Sequence, residues 1–215
     1  MSDRSQLVAD YTKHAIRPKP DPQDPNYQND VFKHLGLPDD IYEASCGGGC
    51  PLAFAPEPLD SKFVVDLGCG GGHDVVIAAK LVGESGHVVG VDLTAAMLER
   101  AQRNASRCGV SSRTSFVEGA FDSFEPDLPH GLTEGRADLV ISNGAFNLAL
   151  DKPAAFRTAY RVAAPGAHFC LTDVMVAEGA EQEGRDCMQS SCAAAAQETS
   201  ANIKTQPTDA VPSSD

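Results

Sequence analysis

The sequence predicts an α/β fold: a doubly wound, mostly parallel sheet covered by helices. Three observations carry this prediction. Short apolar runs of strand length recur five times between residues 61 and 175. Segments with helical spacing of apolar residues separate several of them. A glycine cluster follows the first run directly. Strands alternating with helices imply parallel pairing with both sheet faces covered.

The elements follow in order. Phe63-Val64-Val65-Asp66-Leu67 is a short apolar run ending in glycines, the mark of a buried strand. Asp74 to Leu81 has helical spacing of apolar residues. His87 to Asp92 reads as the second strand. Thr94 starts a helix with Ala95, Leu98 and Ala101 on one side, stopped by Gly109 after Cys108. Thr114 to Glu118 is the third strand and Ala137 to Ser142 the fourth. Pro153 to Val162 is a helix with proline in its first turn and Pro165-Gly166 beyond its end. Ala167 to Asp173 is the fifth strand.

Composition changes on either side of this region. Residues 1–60 hold eight of the fourteen prolines. Val8 to Ile16 and Val31 to Leu37 read as short helices, joined by a Pro-punctuated connector from Arg17 to Pro25. Ser45 to Cys50 is a loop by composition. Residues 176–215 are rich in Ala, Ser, Gln and Glu, with no aromatic residue, and read as a polar, partly disordered tail. The expected organisation is therefore an irregular N-terminal segment (1–60), a ligand-binding domain (61–175) and the tail (176–215).

Charge and cysteine usage exclude several function classes. Lys plus Arg number 17 against 30 Asp plus Glu, for a net charge of −13. Such a surface repels nucleic acid and anionic membrane. No apolar run approaches the ~20 residues of a membrane span, and the first residues lack a signal peptide's apolar stretch. A cytoplasmic monomer acting on a small molecule is the expectation. The seven cysteines (46, 50, 69, 108, 170, 187 and 192) are odd in number, which argues against a disulfide framework.

The most informative segment is Asp66-Leu67-Gly68-Cys69-Gly70-Gly71-Gly72. Glycines between a strand and a helix let backbone approach a ligand closely. Dinucleotide sites use G-x-G-x-x-G there. Gly68 and Gly70 fit its first two positions, but the third falls on His73. An acidic residue two positions before G-x-G-x-G is the pattern of S-adenosylmethionine carriers, and Asp66, Gly68, Gly70 and Gly72 match it. A ligand with a cationic amine and sulfonium and no phosphate accounts for an acidic residue opening the loop. Asp92 ends the next strand, 26 positions on, where a carboxylate accepts ribose hydroxyls. Leu93, Gly119, Ala120 and Asn143 follow strands two, three and four, at the carboxyl edge where open α/β sheets bind ligands. A purely structural account has the glycines making a tight turn and Asp92 capping the helix from Thr94.

The residues from Val64 to Ala101, with Asp-Leu-Gly-Cys-Gly-Gly-Gly-His-Asp and Lys80-Leu-Val-Gly-Glu-Ser-Gly-His-Val-Val-Gly-Val-Asp-Leu-Thr94, resemble the arsenite methyltransferase family. So do Asp138-Leu-Val-Ile-Ser-Asn143, Asn147-Leu148, Asp151-Lys152 and Ala159-Tyr-Arg-Val162. The resemblance implies a Rossmann-like class I fold and methyl transfer from S-adenosylmethionine to trivalent arsenic held by cysteine thiolates. A thiol reductant, glutathione or thioredoxin-like, is then a co-substrate, and arsenite or an arsenic–thiol adduct is the substrate. Soft arsenic(III) prefers sulfur ligands.

The resemblance carries over residue by residue. Gly49-Cys50 stands where the family has a Gly-Cys before the first strand, with Cys46 a second candidate. Cys192, before Ala193 to Ala196, resembles the family's later cysteine. Cys50 and Cys192 are the implied arsenic ligands, with Cys46 joining them as a catalytic thiol. The family's third ligand directly follows Ser-Asn, and this chain has Gly144 there. A truncated, diverged or inactive member fits that departure. The competing readings are a methyltransferase of another small molecule, an arsenic- or cofactor-binding protein without turnover, and a nicotinamide-dependent oxidoreductase.

Overall fold

The computed structural model describes residues 4–9, 32–38, 41 and 49–173. From residue 63 on, its strands and α-helices are β1 (Phe63–Leu67), α1 (His73–Leu81), β2 (His87–Asp92), α2 (Ala95–Arg107), β3 (Thr114–Glu118), β4 (Ala137–Asn143), α3 (Lys152–Val162) and β5 (Ala163–Thr172). The strands form one sheet in the order β3-β2-β1-β4-β5, and every pair is parallel. The expected α/β fold with its five strands is the observed one.

Side-chain alternation along the strands builds two cores. Val64, Val88, Leu139 and Ile141 face one side and pack with Val75, Val76 and Ile77 of α1 and Leu98 and Ala105 of α2. Val65, Leu67, Val89, Val91 and Val140 face the other and pack with Ala155, Ala159 and Val162 of α3 and with Phe146. Strands buried on both faces read as continuous apolar runs, which is why they stood out in the sequence. The same period of two carries Asp66, Asn143 and Thr172 onto the α1 side, at the carboxyl end of the sheet.

Helix starts follow local chemistry. Asp151 caps α3, its Oδ1 accepting the Ala154 N–H at 2.9 Å, and Pro153 occupies the first turn. In α2, Met97, Leu98, Ala101 and Ala105 are buried, with Asn104 among them.

Two elements differ from expectation. β5 begins at Ala163, directly after α3, rather than at Ala167. Pro165-Gly166 therefore lies inside the strand, beyond the Ala137↔Ala163 pair and before regular pairing resumes at Leu139↔His168. The ladder register shifts there, as suits a proline without an N–H and a glycine at φ +83°. The expected helix over Val31 to Leu37 is, in its described part, a 3-10 turn at Lys33–Leu35. Of the expected helix over Val8 to Ile16, residues 4–9 are described, and they are helical. Most of the Ser45 to Cys50 loop, and the tail from residue 176, lie outside the described residues.

Candidate active site

The glycine loop is fixed from three directions. The Gly68 and Cys69 N–H groups both donate to the Val91 carbonyl at 2.8 Å, tying the loop to the end of β2. Asp92 accepts from the Gly70 N–H through Oδ2 and from the Thr94 N–H through Oδ1, each at 2.8 Å. Asn104 of α2 donates to the Gly71 carbonyl at 2.8 Å. Gly68 has φ +84°, and a Cβ there would lie 2.3 Å from the Ala145 Cβ. Only glycine fits that crossing of backbone and side chain.

A cleft opens above this loop. Gly68, Gly70, Asp92, Leu93, Ala120 and Asn143 line it, all of them expected from the sequence. Gly72, Asp66 and Gly119 do not. Gly72 packs on α2, where a Cβ would stand 2.7 Å from the Ala101 Cβ. Asp66 is buried at the end of β1. Gly119 meets the Phe124 ring, 2.6 Å from where its Cβ would be.

Several lining residues carried no local signal. Asp122 is buried beside the cleft. Its Oδ1 takes a 2.6 Å ion pair from Arg4, and its Oδ2 accepts the Leu150 N–H at 2.7 Å. Its place four residues after β3, at the carboxyl edge, was a usable hint. Arg4 was not legible, because a pairing across 118 residues leaves no sequence pattern.

The electrostatics are dominated by acid. Burial holds the Asp66 carboxyl well above its usual range, and the charges of Asp74 and Asp92 push it further up. Burial raises Asp92 as well, against the opposing pull of the Thr94 and Gly70 N–H groups. These carboxylates repel one another in a poorly solvated place. A ligand bringing an ammonium and a sulfonium relieves that repulsion, and a pyrophosphate worsens it. The donor set therefore fits S-adenosylmethionine and disfavours a dinucleotide.

The cysteine segment adjoins this cleft. Cys50 is buried and opens the 3-10 turn Pro51–Phe54. Burial pushes its thiol up to about 11, and the Asp74 charge adds to the effect. Gly49 packs on β5 so closely that a Cβ would fall 2.8 Å from the Thr172 Cβ. Asn143 donates to the Gly49 carbonyl at 2.8 Å and to Asp74 Oδ2 at 3.0 Å. Cys46 and Cys192 lie outside the described residues. Among the described residues, no three His, Cys, Asp or Glu side chains converge as a metal site.

The profile of a family described as a methyltransferase domain matches residues 59–211. The chain belongs to that methyltransferase family. It is 41% identical over 133 residues to the arsenite methyltransferase of Aquipseudomonas alcaligenes, an alignment covering 59% of this chain and 36% of that one. It is 34% identical over 131 residues to the human arsenite methyltransferase, covering 59% and 34%. Among solved structures it resembles an arsenic (III) S-adenosylmethionine methyltransferase from Chlamydomonas reinhardtii. That match has a TM-score of 0.62 and 34% identity, over 75% of this chain and 55% of the other. The chain spans about a third of the length of the curated relatives it matches.

Four further side chains of this methyltransferase bear on the sequence reading. His73, where a dinucleotide site would have its third glycine, is buried, with Nδ1 3.1 Å from Asp74 Oδ1. It sits where α1 meets the loop, so packing overrides its polarity. Cys69 is buried in the loop, and a Cβ on Gly90 of β2 would come within 2.8 Å of its Sγ. Cys108 and Cys170 are buried at an element end and in a strand, as expected of small apolar side chains. No helix among the described residues is long and apolar enough to cross a membrane.

Proposed function

We propose that this S-adenosylmethionine-dependent methyltransferase acts on trivalent arsenic, with Cys50 as one of the thiols that hold it. The observation that carries the reading is the position of Cys50. Its segment is hydrogen-bonded through Asn143 to Asp74, a residue lining the cofactor cleft. The similarity to arsenite methyltransferases supports it.

The cofactor, when bound, supplies an electrophilic methyl group on a sulfonium. The chain's residues do the rest. Asp92 fixes the loop through Gly70 and Thr94 and offers its carboxylate to ribose hydroxyls. Asp74, on the cleft wall, supplies negative potential, and buried Asp66 behind the loop adds to it once the ligand's positive charge favours its ionised form. Cys50 orients the arsenic so that its lone pair faces the methyl carbon, and little acid–base assistance is needed. The arsenic–carbon bond forms as the carbon–sulfur bond breaks, and the breaking bond's electron pair stays on sulfur. Arsenic is thereby oxidised by two electrons, which two external thiols of the glutathione or thioredoxin type return as they join in a disulfide. The Cys50 proton leaves with the hydroxide or thiolate that arsenic gives up on binding. Cys192 and Cys46 complete the thiol set in this reading, and cytoplasmic action on a small molecule goes with it.

Gly144 favours a second reading. It stands where the family places a third thiol, and its φ of +65° suits glycine better than cysteine. A member that binds cofactor without turnover fits that position.

Mass spectrometry separates the two readings. The protein is incubated with S-adenosylmethionine, arsenite and a thiol reductant, beside Cys50→Ser. Methylated arsenic is expected from the parent and at least ~100-fold less from the variant, the loss of a positioning ligand. Cofactor binding with no product from the parent would favour the second reading.

A further inference from the structure

We propose that Asn143 is a positioning residue whose side-chain amide bolts the Gly49–Cys50 segment to the acidic rim of the cofactor cleft. The geometry fixes which way the amide points. Its nitrogen meets the Gly49 carbonyl at 2.8 Å and Asp74 Oδ2 at 3.0 Å. Both partners only accept, so Nδ2 must face them. Its oxygen accepts the Thr172 hydroxyl at 3.0 Å. One side chain thus joins three elements: the turn before β1, the first residues of α1 and the end of β5. Thr172 supports the same segment sterically, since Gly49 packs against its Cβ. The Gly144 N–H donates to the Thr172 carbonyl at 2.8 Å and holds the strand ends together below the bolt.

This assignment changes what Asn143 does. The sequence placed it among the cofactor contacts, and it does border the cleft. Both hydrogens of its amide are nonetheless spent on the cysteine segment and Asp74. Its consequence is the register of Cys50, one residue beyond the anchored Gly49 carbonyl. Aspartate is nearly isosteric with asparagine, but it cannot donate and would set a carboxylate against a carbonyl and a second carboxylate. That makes Asn143→Asp the sharp variant. The arsenic role of Cys50 rests on the function proposed above, whereas its anchoring does not.

The test uses the full chain at one fixed pH, with three readouts. Iodoacetamide labelling, read by fragment-ion mass spectrometry that separates Cys50 from Cys46 on their shared peptide, reports access to Cys50. Calorimetry with S-adenosylhomocysteine reports the cofactor site. Turnover of arsenite reports positioning. Loss of a hydrogen-bonded amide at a partly buried site predicts about tenfold faster Cys50 labelling in Asn143→Asp. Cofactor affinity is expected to change by a smaller factor than Cys50 labelling does, while kcat/KM for arsenite falls about tenfold. Adding Asp74→Asn restores a donor opposite the new carboxylate and should recover part of the Cys50 protection. Unchanged labelling in Asn143→Asp overturns the proposal, as does weaker cofactor binding with Cys50 protection intact. If Asn143→Asp fails to fold by circular dichroism, Thr172→Val removes the hydroxyl that orients the amide while keeping its shape. Faster Cys50 labelling there supports the bolt, and unchanged labelling overturns it. A parent protein that binds S-adenosylhomocysteine yet yields no methylated arsenic defeats the arsenite reading alone, because labelling still decides the role of Asn143.

Discussion

The segments at the two ends of the cleft are held by different means. At the β1–β2 end the glycine loop is held mainly by backbone: Gly68 and Cys69 on the Val91 carbonyl, and Gly70 on Asp92. At the β4–β5 end the cysteine segment is held by side chains, with Asn143 reaching Gly49, Asp74 and Thr172. The first arrangement leaves a dense sequence signature, because backbone approach demands glycine and a turn demands positive φ. The second leaves almost none, because one asparagine among many carries it. A cofactor shared by a whole family suits the first kind of construction. An acceptor site that varies between members suits the second.

The largest expected effect breaks the backbone end. Gly68→Ala puts a methyl group 2.3 Å from the Ala145 Cβ at a residue with φ +84°. Overlap and left-handed strain together should cost about 2–4 kcal/mol, and cofactor should no longer raise the unfolding temperature. Gly70→Ala is the control. It has φ +50° but open space where the Cβ would be, so strain alone of about 1–2 kcal/mol remains. Thermal unfolding of both variants checks this, and equal losses would show that Ala145 yields and the crossing is not tight.

The next effect concerns the residue that joins loop to ligand. Asp92→Ala removes the acceptor for the Gly70 and Thr94 N–H groups as well as the carboxylate offered to the ribose. Two charge-assisted hydrogen bonds lost from a buried site correspond to about 30- to 100-fold weaker binding of S-adenosylhomocysteine. Calorimetry measures this, and an affinity unchanged within error would return Asp92 to a capping role. Asp92 holds the chain just before α2 in any case, since its Oδ1 accepts the N–H of Thr94, the residue that caps that helix. The structural account and the ligand account of this residue are both satisfied by one carboxylate with two oxygens.

Of the residues the sequence assigned to the cofactor, Gly68, Gly70, Asp92, Leu93, Ala120 and Asn143 line the cleft and Asp66, Gly72 and Gly119 do not, while the surroundings of Cys50 left little trace in the sequence. All five strands were legible as short apolar runs, most clearly β1, β2 and β4, which burial on both faces makes continuous. Asp92 and the loop glycines were legible from their spacing. The burial of His73 was not, because a polar residue at a helix start looks solvent-facing until its surroundings are known. Asp122 was missed because its partners come from residue 4 and residues 150–151, far along the chain. Asn143 was placed at the correct edge and does line the cleft, but its hydrogen bonds to Gly49, Asp74 and Thr172 left no sequence pattern. Its strand parity sends it to the α1 side together with Asp66, and that could have been read from the alternation of β4.

The smallest expected effect is a dependence on pH, and it too separates the two ends. Burial, with Asp74 and Asp92 nearby, raises Asp66, and burial raises Asp92. A carboxyl whose folded-state pKa lies above its unfolded value binds its proton more tightly in the native state. Its stability contribution is present below the usual carboxylate range and is lost as pH rises through the folded-state value. The ligand-free protein should therefore lose unfolding temperature as pH climbs out of the acid range. Cofactor binding favours the ionised carboxylates, so it should release protons and strengthen over the same interval. The gain should be several-fold and larger for S-adenosylmethionine than for S-adenosylhomocysteine, which carries the same amine without the sulfonium charge. Asp66→Asn should flatten the difference between the two ligands, while Asn143→Asp, at the other end of the cleft, should leave most of it in place. Calorimetry across pH with both ligands measures this, and equal slopes for the two would mean that the buried acids respond to the amine and not to the sulfonium.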